Sequence, residues 1–480
     1  MKKTLSRAAV ILFWLIVWQV IAVQVDNRIL LAGPVDVCVR IWEELGQAEF
    51  YASAAGSLVR IMAGFLLGMV TGLAAGACAF FWKPLGRLLE PVILTMKSVP
   101  VAAFVILVLI WSGSKNLAIP ISFLVVFPYF YIHTRTGLAG ADAGELAFAR
   151  VSGMRRLNRL CYIYRPALMP YLLSAARVTV GMSFKSGIAA EVIGIPEFAI
   201  GTRLYMSKVY LDTAGVLAWT VVVVLLSFLC EKIMLCLLHA LFTMHITPPV
   251  CGRGKSGVRA NAVQDAQGMT ISALRKTYQE KRVVDLPEIR VKSGARIALV
   301  GGSGSGKTTW INMLMGLVEP DRQDREAAKK NVQMEKEKRD VSKIPRITPA
   351  FQEDCLFLTE TAADNVRMVC APEHTGRIRD CLGQLLLTNA VDQPAAELSG
   401  GMMRRTAVAR AMLAEGELIV LDEPFRGLDM ENKKRLAAFI LKNQAGRTLI
   451  VTSHDKAEAA LLAPEETVFL SEIKKSNQET

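Results

Sequence analysis

One short segment indicates the fold of the C-terminal half of the chain. It reads Arg296-Ile-Ala-Leu-Val300 and then Gly301-Gly-Ser-Gly-Ser-Gly306-Lys307-Thr308. The apolar run predicts a buried strand, and the glycines predict a tight turn before a helix. Because glycines let successive backbone N–H groups point to one centre, such a turn can bind phosphate groups. Lys307 can then reach the β- and γ-phosphates, and the Thr308 hydroxyl suits Mg²⁺. The candidate nucleotide-binding residues of this loop are Gly301, Gly302, Ser303, Gly304, Ser305, Gly306, Lys307, Thr308 and Thr309.

Two adjacent carboxylates follow a second hydrophobic strand, in the sequence Leu418-Ile-Val-Leu-Asp422-Glu423-Pro. Asp422 is suited to hold Mg²⁺ through water, and Glu423 to polarise the attacking water as a general base. An acidic pair after a strand is common by itself. Together with a phosphate-binding loop it predicts a site that hydrolyses ATP.

Further motifs occur around these two. The stretch Leu398-Ser399-Gly400-Gly401-Met402 resembles the signature motif of ATP-binding cassette (ABC) proteins. The resemblance covers residues 269–470 and extends to four other family motifs, namely the Q-loop at Gln352, the D-loop at Asp429, the switch histidine at His454 and the adenine-stacking aromatic at Tyr278. It implies that Gln352 contributes to catalysis and to the Mg²⁺ site, that His454 is catalytic and contacts the γ-phosphate, and that the remaining motif residues bind ATP, namely Tyr278, Ser399, Gly400, Gly401 and Asp429.

The resemblance also implies a dimer. In such proteins the signature motif of one subunit covers the ATP that is held by the phosphate-binding loop of its partner, so two copies are required, with ATP and Mg²⁺ at each site. One position departs from the family pattern, because Met402 stands where Gln is usual. Loss of an amide removes one potential hydrogen bond, worth about 0.5–1.5 kcal/mol, and we expect activity to survive.

The chain of 480 residues is too long for a single hydrophobic core. Its first part is dominated by long apolar runs, and its last part has the composition of a soluble α/β protein. We predict a transmembrane permease domain at 1–247, a linker at 248–267 rich in Gly, Lys, Arg, Asn and Gln, and an ABC ATP-binding domain at 268–480. The predicted fold class is an all-α, six-helix transmembrane domain fused to an α/β P-loop NTPase domain.

Six apolar stretches approach the length of about 20 residues that a membrane span needs. They lie at roughly 8–25, 59–81, 91–111, 117–134, 171–193 and 214–236. With Lys2 and Lys3 inside, the basic connections, which include Lys83, Arg87 and Arg135, also fall on the cytoplasmic side. This pattern predicts a multi-pass protein of the cytoplasmic membrane, embedded in the lipid bilayer, whose N-terminus and ATP-binding domain are cytoplasmic.

The formal net charge of +13 does not by itself indicate nucleic-acid binding. The basic residues form no single stripe and no base-reading motif with stacking aromatics, and many lie between apolar segments. We therefore expect no nucleic-acid partner. The nine cysteines include no C-x-x-C pair, which argues against a zinc site or a disulfide framework.

The connection before the fifth span resembles the coupling loop of ABC importers, in which a short helix docks into the ATPase domain. The matching residues are Gly153, Ile163 after nine intervening residues, and Pro166 three further on. A glycine turn followed by an amphipathic, Arg-rich helix suits a cytosolic contact, although a helix that only anchors topology remains an alternative. The family usually begins this motif with Glu-Ala-Ala, whereas Ala147 is the aligned residue here and Glu145 the nearest acid.

Local patterns over residues 30–235 resemble the permeases of nitrate, sulfonate and taurine importers. They are Leu31-Ala-Gly-Pro34 with Asp36, the run Ser57-Leu-Val-Arg-Ile-Met-Ala-Gly-Phe, and Lys97-Ser-Val-Pro100. The resemblance implies ATP-driven import of a small solute, an anion in these groups, delivered by a separate extracytoplasmic binding protein. The alternatives are an ABC exporter, which the short cytoplasmic loops argue against, and a membrane-anchored ABC ATPase that does not transport.

Lys185 and Glu191, inside or at the edge of the fifth span, are the charges that we single out there as possible pathway residues. Ionisable groups in a span usually face a cavity or each other, and a separation of six residues places these two on different helix faces. We hypothesise that Lys185 helps to line the pathway of an anionic solute. The alternative is an interfacial lysine whose ammonium reaches the lipid headgroups.

Overall fold

The computed structural model describes residues 2–27, 29–243, 260–264, 268–278, 281–321 and 344–470. The chain divides into two compact units. The first contains Met1–Gly140 and Ala167–Met244, and the second contains Ala141–Pro166 and His245–Thr480. The segment 141–166 is therefore part of the second unit, although it lies between helices of the first in sequence.

The first unit is helical. Its helices are α1 Lys2–Val25, α2 Pro34–Leu45, α3 Ala48–Phe81, α4 Lys83–Ser98, α5 Val101–Ser112, α6 Ala118–Ala139, α9 Arg165–Gly194, α10 Ile200–Val209 and α11 Thr213–Thr243. Among the described residues, three helical stretches are long and apolar enough to cross a membrane: Ala48–Phe81, Arg156–Gly194 and Thr213–Leu241. Helices α4 and α5 together make a fourth candidate, and α1 and α6 occupy the two remaining predicted positions.

The third predicted span, at 91–111, is wrong as a single helix. It is divided between α4 and α5, which are bent by 104° at the break. Pro100 has no N–H to donate, and it disfavours helical backbone at the preceding residue. Val99 accordingly adopts an extended conformation, with φ −76° and ψ 130°.

Helices α3 and α6 approach closely along a face of α3 that carries a glycine at every fourth position. These glycines are Gly64, Gly68, Gly72 and Gly76. A Cβ atom added at Gly72 would lie 2.8 Å from the carbonyl oxygen of Phe127, and one at Gly76 would lie 2.7 Å from that of Tyr131. Small residues at this spacing let two helix backbones pack against each other within a membrane. The sequence prediction did not use this pattern.

The second unit is an α/β structure whose main sheet has five parallel strands in the order β10-β6-β9-β8-β7. These strands are β6 Arg296–Val300, β7 Ile347–Ala350, β8 Leu418–Asp422, β9 Thr448–Ser453 and β10 Glu466–Phe469. Strands β8 and β9 are buried along their whole length, as expected for parallel strands covered on both faces. The predicted α/β class is confirmed.

Smaller antiparallel sheets adjoin the main one. They contain β1 Ala262–Gln264, β2 Gly268–Ile271 and β5 Ile289–Lys292 in one sheet, and β3 Leu274–Tyr278 and β4 Lys281–Leu286 in the other. Strand β1 lies within the stretch 248–267 that the sequence predicts as linker, and it pairs with β2. A strand of the second unit therefore lies within the predicted linker. Residues 248–259 and 265–267 of the predicted linker lie outside the described residues.

The helices of the second unit lie before, between and after these strands. They are α7 Ala143–Val151, α8 Arg156–Arg159, α12 Lys307–Leu314, α13 Ala362–Arg367, α14 Ile378–Gln384, α15 Gly400–Leu413, α16 Met430–Asn443 and α17 Lys456–Ala460, with a π-helical turn at Leu160–Tyr164 and 3₁₀ turns at Pro372–Arg377, Thr388–Ala390 and Ala395–Glu397. Helix α15 begins at the signature motif.

The glycine face of α3 yields a stability prediction. Gly72→Leu should lower the thermal unfolding midpoint of the purified chain in detergent by several degrees, because overpacking a close contact costs about 1–3 kcal/mol. Gly181→Leu is the matched control, since a Cβ atom there meets nothing within 4 Å. Equal midpoints for the two variants would contradict close packing of α3 on α6.

Candidate functional site

The predicted catalytic residues meet at the carboxyl ends of neighbouring parallel strands. The phosphate-binding loop follows β6, Gln352 follows β7, the acidic pair lies at the end of β8, and His454 follows β9. In open parallel sheets this edge is where ligands bind. Residues that are far apart in sequence are thus brought to one edge by strand order alone.

The phosphate-binding loop needs glycine at two positions for conformational reasons. Gly304 and Gly306 have φ angles of +75° and +95°, which L side chains rarely adopt. Gly306 also lies against β4, where an added Cβ atom would be 2.6 Å from the carbonyl oxygen of Val283. The Lys307 ammonium donates to the carbonyl oxygens of Gly301 at 2.6 Å and Gly302 at 3.0 Å, so it lies across the loop.

The acidic pair is joined to this loop by hydroxyl groups. Thr308 Oγ1 donates to Asp422 Oδ2 at 3.2 Å, and Thr452 Oγ1 donates to Asp422 Oδ1 at 2.6 Å. Thr452 also accepts from the Glu423 N–H at 3.1 Å. Burial raises the pKa of Asp422, and the hydrogen bonds from the two threonines oppose this effect. Thr452 therefore connects both carboxylate residues to strand β9, a role that the sequence prediction missed.

Gln352 lies beside the predicted general base, with its Nε2 donating to Glu423 Oε2 at 3.4 Å. Its backbone is held by Arg404 of α15, a buried residue that donates to the carbonyl oxygens of Phe351 at 2.6 Å and Gln352 at 2.5 Å. Burial lowers the pKa of Arg404. Sequence reasoning missed this residue, although an arginine inside the helix that follows the signature motif could have indicated it.

The predicted Mg²⁺ ligands fit a small oxygen-rich site. The Thr308 hydroxyl and the Asp422 carboxylate lie within 3.2 Å of each other beside the phosphate-binding loop, and hard oxygen ligands are what Mg²⁺ prefers. The Nε2 of Gln352 faces Glu423, so its amide oxygen remains available as a third protein ligand. In the described part of the chain, no cluster of three or more His, Cys, Asp or Glu side chains forms a different metal site.

The signature and D-loop residues serve locally as helix caps. Ser399 Oγ accepts from the Met402 N–H at 3.4 Å at the start of α15, and Asp429 Oδ1 accepts from the Asn432 N–H at 2.8 Å at the start of α16. These bonds hold the pKa of Asp429 below its usual range. Within the described ranges, no hydrogen bond joins Ser399 or Asp429 to the phosphate-binding loop of the same chain.

Tyr278 and His454 are both solvent-exposed. Tyr278 ends β3 with 48% of its surface exposed, and the Lys276 ammonium lies 5.6 Å from its ring centroid. His454 directly follows β9. Their predicted contacts with adenine and with the γ-phosphate remain predictions.

The coupling segment 141–166 packs within the second unit through aromatic side chains. Phe148 of α7 is buried and makes an edge contact with Phe357, their ring centroids 6.1 Å apart. Tyr162 and Ile163 are buried in the same apolar cluster, together with Met368. The predicted contact residue Ile163 therefore lies against residues that follow the Q-loop position.

Arg410, a fully buried residue of α15, contacts Phe148 directly. Its guanidinium carbon lies 3.7 Å from the Phe148 ring centroid, a stacked cation–π arrangement. The same guanidinium donates to the carbonyl oxygens of Cys355 at 2.8 Å and Asp354 at 2.9 Å. Burial lowers the pKa of Arg410 to about 10, which leaves it charged near neutral pH.

The coupling segment has a helix on each side of its glycine turn. The expected order is present, with Gly153, whose φ is +68°, followed by the Arg-rich helix α8, and a further helix that the sequence prediction did not include, α7, precedes the turn and is capped by Asp142. Glycine in this left-handed conformation is a common helix terminator. After Gly153 the chain forms α8 and the π-helical turn, and continues into α9, whose first turn contains Pro166.

Glu145 lies in the first turn of α7, where its N–H donates to Asp142 Oδ1 at 2.8 Å. Burial raises the pKa of Glu145 to about 7; the Asp142 carboxylate adds to this rise and Arg410 opposes it. The carboxylate of Glu145 therefore lies near enough to the Arg410 guanidinium for the two charges to interact.

The two charges singled out in the fifth span have different surroundings. Lys185 is exposed, whereas Glu191 is fully buried and accepts from Arg60 Nη2 at 3.0 Å, Ser57 Oγ at 2.5 Å and the Gly201 N–H at 3.2 Å. Arg60 lies on α3, one turn before the first close-packed glycine. Sequence reasoning missed this partner.

Comparison with known proteins identifies both parts of the chain. The family model described as "Binding-protein-dependent transport system inner membrane component" matches residues 64–238, and the model described as "ABC transporter" matches residues 285–426. Over 212 residues the chain is 33% identical to the sulfate/thiosulfate import ATP-binding protein CysA of Nephroselmis olivacea, with 42% of this chain and 59% of that protein covered. Over 210 residues it is 33% identical to CysA 2 of Rhizobium meliloti (strain 1021), covering 40% and 54%.

The chain therefore spans a little over half the length of these curated relatives. Among solved structures, the post-hydrolysis dimer of the ATP-binding cassette MJ0796 bound to ADP and Pi is 22% identical, with a TM-score of 0.33, 43% of this chain covered and 93% of that one. Residues 64–238 belong to the family of binding-protein-dependent transport system inner membrane components and residues 285–426 to the ABC transporter family, so the chain joins a permease domain to an ABC ATP-binding domain.

Proposed function

We propose that this protein hydrolyses ATP to drive the import of a small anionic solute across the cytoplasmic membrane. Its permease domain occupies 1–247 and its ATP-binding domain 268–480, and the segment around α7 connects the two functions. The observation that carries the proposal is that α15 contacts both the Q-loop backbone, through Arg404, and the coupling segment, through Arg410. A helix that touches both sites can transmit a change at one to the other.

In this proposal the chain's own residues perform the chemistry as follows. The backbone N–H groups of the loop and Lys307 bind the ATP phosphates, and Glu423 accepts a proton from the attacking water. Thr308, Asp422 and Gln352 would hold Mg²⁺, which neutralises charge on the phosphate oxygens when bound. His454 orients the γ-phosphate and Tyr278 supports the adenine.

The functional protein is proposed to be a homodimer. Ser399 and Asp429 cap helices of their own subunit, and Gly400 and Gly401 form the first turn of α15, a helix N-terminus of the kind that binds phosphate groups. Since none of the hydrogen bonds of Ser399 in the described residues involves the loop of the same chain, the second half of each ATP site would come from a partner copy.

The solute is proposed to be an oxyanion such as a sulfonate, nitrate or a related compound, delivered by a separate extracytoplasmic binding protein. The relatives named for sulfate and thiosulfate import are ATP-binding proteins by name and match 42% of this chain or less, so they support the class of solute only weakly. Lys185 remains the candidate pathway residue. The direct test is uptake into proteoliposomes of sulfate, thiosulfate, nitrate or taurine, with each candidate extracytoplasmic binding protein from the same genome added in turn. ATPase activity without uptake of any solute in the presence of any of these binding proteins would count against import.

Glu423→Gln should reduce the steady-state ATPase rate of the reconstituted chain about 100-fold or more, because a general base contributes about 10²–10⁴ in rate. Binding of a fluorescent ATP analogue should persist, since the phosphate-binding loop is unchanged. Glu431→Gln, at an exposed position in α16, is the matched control and should retain the wild-type rate. A decrease of less than tenfold for Glu423→Gln would remove this residue from the role of general base.

Phe148→Ala should release the coupling segment. Truncating a buried phenylalanine costs about 3–5 kcal/mol, so trypsin should cleave at Arg155 and Arg156 at least about tenfold faster. Uptake should fall while basal ATPase activity persists. Leu157→Ala is the control, because Leu157 is 76% exposed. Unchanged cleavage in Phe148→Ala would show that Phe148 does not hold the segment.

The raised pKa of Glu145 predicts that the free energy of unfolding of the second unit depends on pH. Because this pKa is raised to about 7 in the folded protein, ionisation opposes folding, and this cost grows between pH 6 and pH 8. Glu145→Gln removes the cost. The free energy of unfolding of the second unit should therefore rise in the variant, relative to wild type, by about 1 kcal/mol more at pH 8 than at pH 6. The same difference at both pH values would contradict a raised pKa.

A further inference from the structure

A cavity of about 610 Å³ opens in the first unit, where the end of α3, the beginning of α4 and the end of α6 meet. Its size lies within the range of ordinary small-molecule sites, about 300–1,000 Å³. The residues that matter for its chemistry are Lys83, Arg87, Glu90, Tyr131 and Arg135. None of them belongs to the ATP site or to the coupling segment.

The charged side chains that line the cavity are mostly positive. Three cationic side chains line it against one carboxylate, that of Glu90. Across the described part of the chain, Lys83, Arg87 and Arg135 form no ion pair with an acidic residue. Arg135 is half-buried, and its Nη1 donates to the Tyr131 hydroxyl at 3.4 Å, which holds the guanidinium at the wall of the cavity.

The backbone of α4 adds to the positive charge at the cavity. Helix α4 begins at Lys83, has 16 residues and has no acidic residue in its first turn. The aligned peptide dipoles of a helix place partial positive charge at its N-terminus, and here that end carries Lys83 and, one turn on, Arg87. Basic residues needed only for membrane topology do not require a shared cavity.

We propose that this cavity binds an oxyanion of the phosphate or sulfate class, held by Lys83, Arg87 and Arg135 together with the Tyr131 hydroxyl. The guanidinium groups suit such a ligand because their fork of N–H donors matches two oxygens of a tetrahedral anion. The anion is either the headgroup of an anionic phospholipid, since these residues lie at the predicted cytoplasmic boundary of the spans, or a free anion. The site acts independently of the ATP chemistry proposed above.

Two binding measurements on the full chain test the site and distinguish the sources. In the first, the protein is purified from nanodiscs of phosphatidylcholine with about a fifth phosphatidylglycerol, and retained phosphatidylglycerol is counted by native mass spectrometry. In the second, the protein in pure phosphatidylcholine nanodiscs is titrated calorimetrically with sulfate and with inorganic phosphate. Binding in the first measurement alone identifies a lipid headgroup, and binding in the second identifies a free anion.

The test variant is Lys83→Gln/Arg87→Gln/Arg135→Gln. The matched control is Lys97→Gln/Lys115→Gln/Lys208→Gln, which removes three exposed cations from the same unit outside the cavity. The test variant should bind about tenfold more weakly or worse, and the control should match wild type. If the triple variant fails to fold, Arg135→Gln alone should still weaken binding severalfold.

Two outcomes overturn the proposal: wild-type protein that binds no anion in either measurement, and cavity variants that bind as well as wild type. Because both readouts are binding, neither outcome bears on the proposed ATPase or on import.

Discussion

The arrangement of the candidate ATP site depends on the parallel register of three neighbouring strands. Strand β9 lies between β6 and β8, with Ser453 opposite Val300 and Thr452 opposite Asp422. This register places the Thr452 hydroxyl against the Asp422 carboxylate while the phosphate-binding loop begins one residue beyond Val300. A slip of one residue would turn every side chain to the opposite face of the sheet. The buried aliphatic residues on both faces of β8 and β9 therefore fix the positions of the polar residues at their ends.

Helix α15 extends this constraint from the nucleotide site to the coupling segment. Arg404 and Arg410 are separated by six residues, a rise of about 9 Å along the helix axis. Each is buried and each donates to two carbonyl oxygens of the segment 351–355. The four hydrogen bonds from this pair therefore tie the irregular segment to the helix. Phe148 packs on Arg410. Through Arg410 the coupling segment is joined to the segment 351–355, which contains Gln352.

Much of the second unit could be predicted from sequence because its motifs have strict spacing and follow apolar strands. The phosphate-binding loop and the acidic pair occupy the expected elements. Three features could not be predicted. Arg410 and Phe148 are far apart in sequence, so their contact exists only in the folded unit. A second helix of the coupling segment, α7, ends at the turn that contains Gly153, and the sequence did not indicate it because a glycine can equally begin a turn or end a helix. The break at Val99 follows from Pro100, which the hydropathy of a long apolar run conceals.

In the membrane half, an ionisable residue in a predicted span has a structural explanation, although such residues are usually taken as functional. An ionisable residue in a span is a candidate for the transport pathway, and Glu191 met that description. Its carboxylate, however, accepts four hydrogen bonds, from Ser57, from the N–H of Gly201 and from two nitrogens of Arg60. A carboxylate has about four lone-pair sites, so this one has no capacity left for a solute. Removing one partner of a buried ion pair costs about 3–5 kcal/mol, which is a structural role sufficient to explain the residue. Lys185 is exposed on the same helix, as is Arg177, so an anion recognised by α9 would meet these cations rather than Glu191.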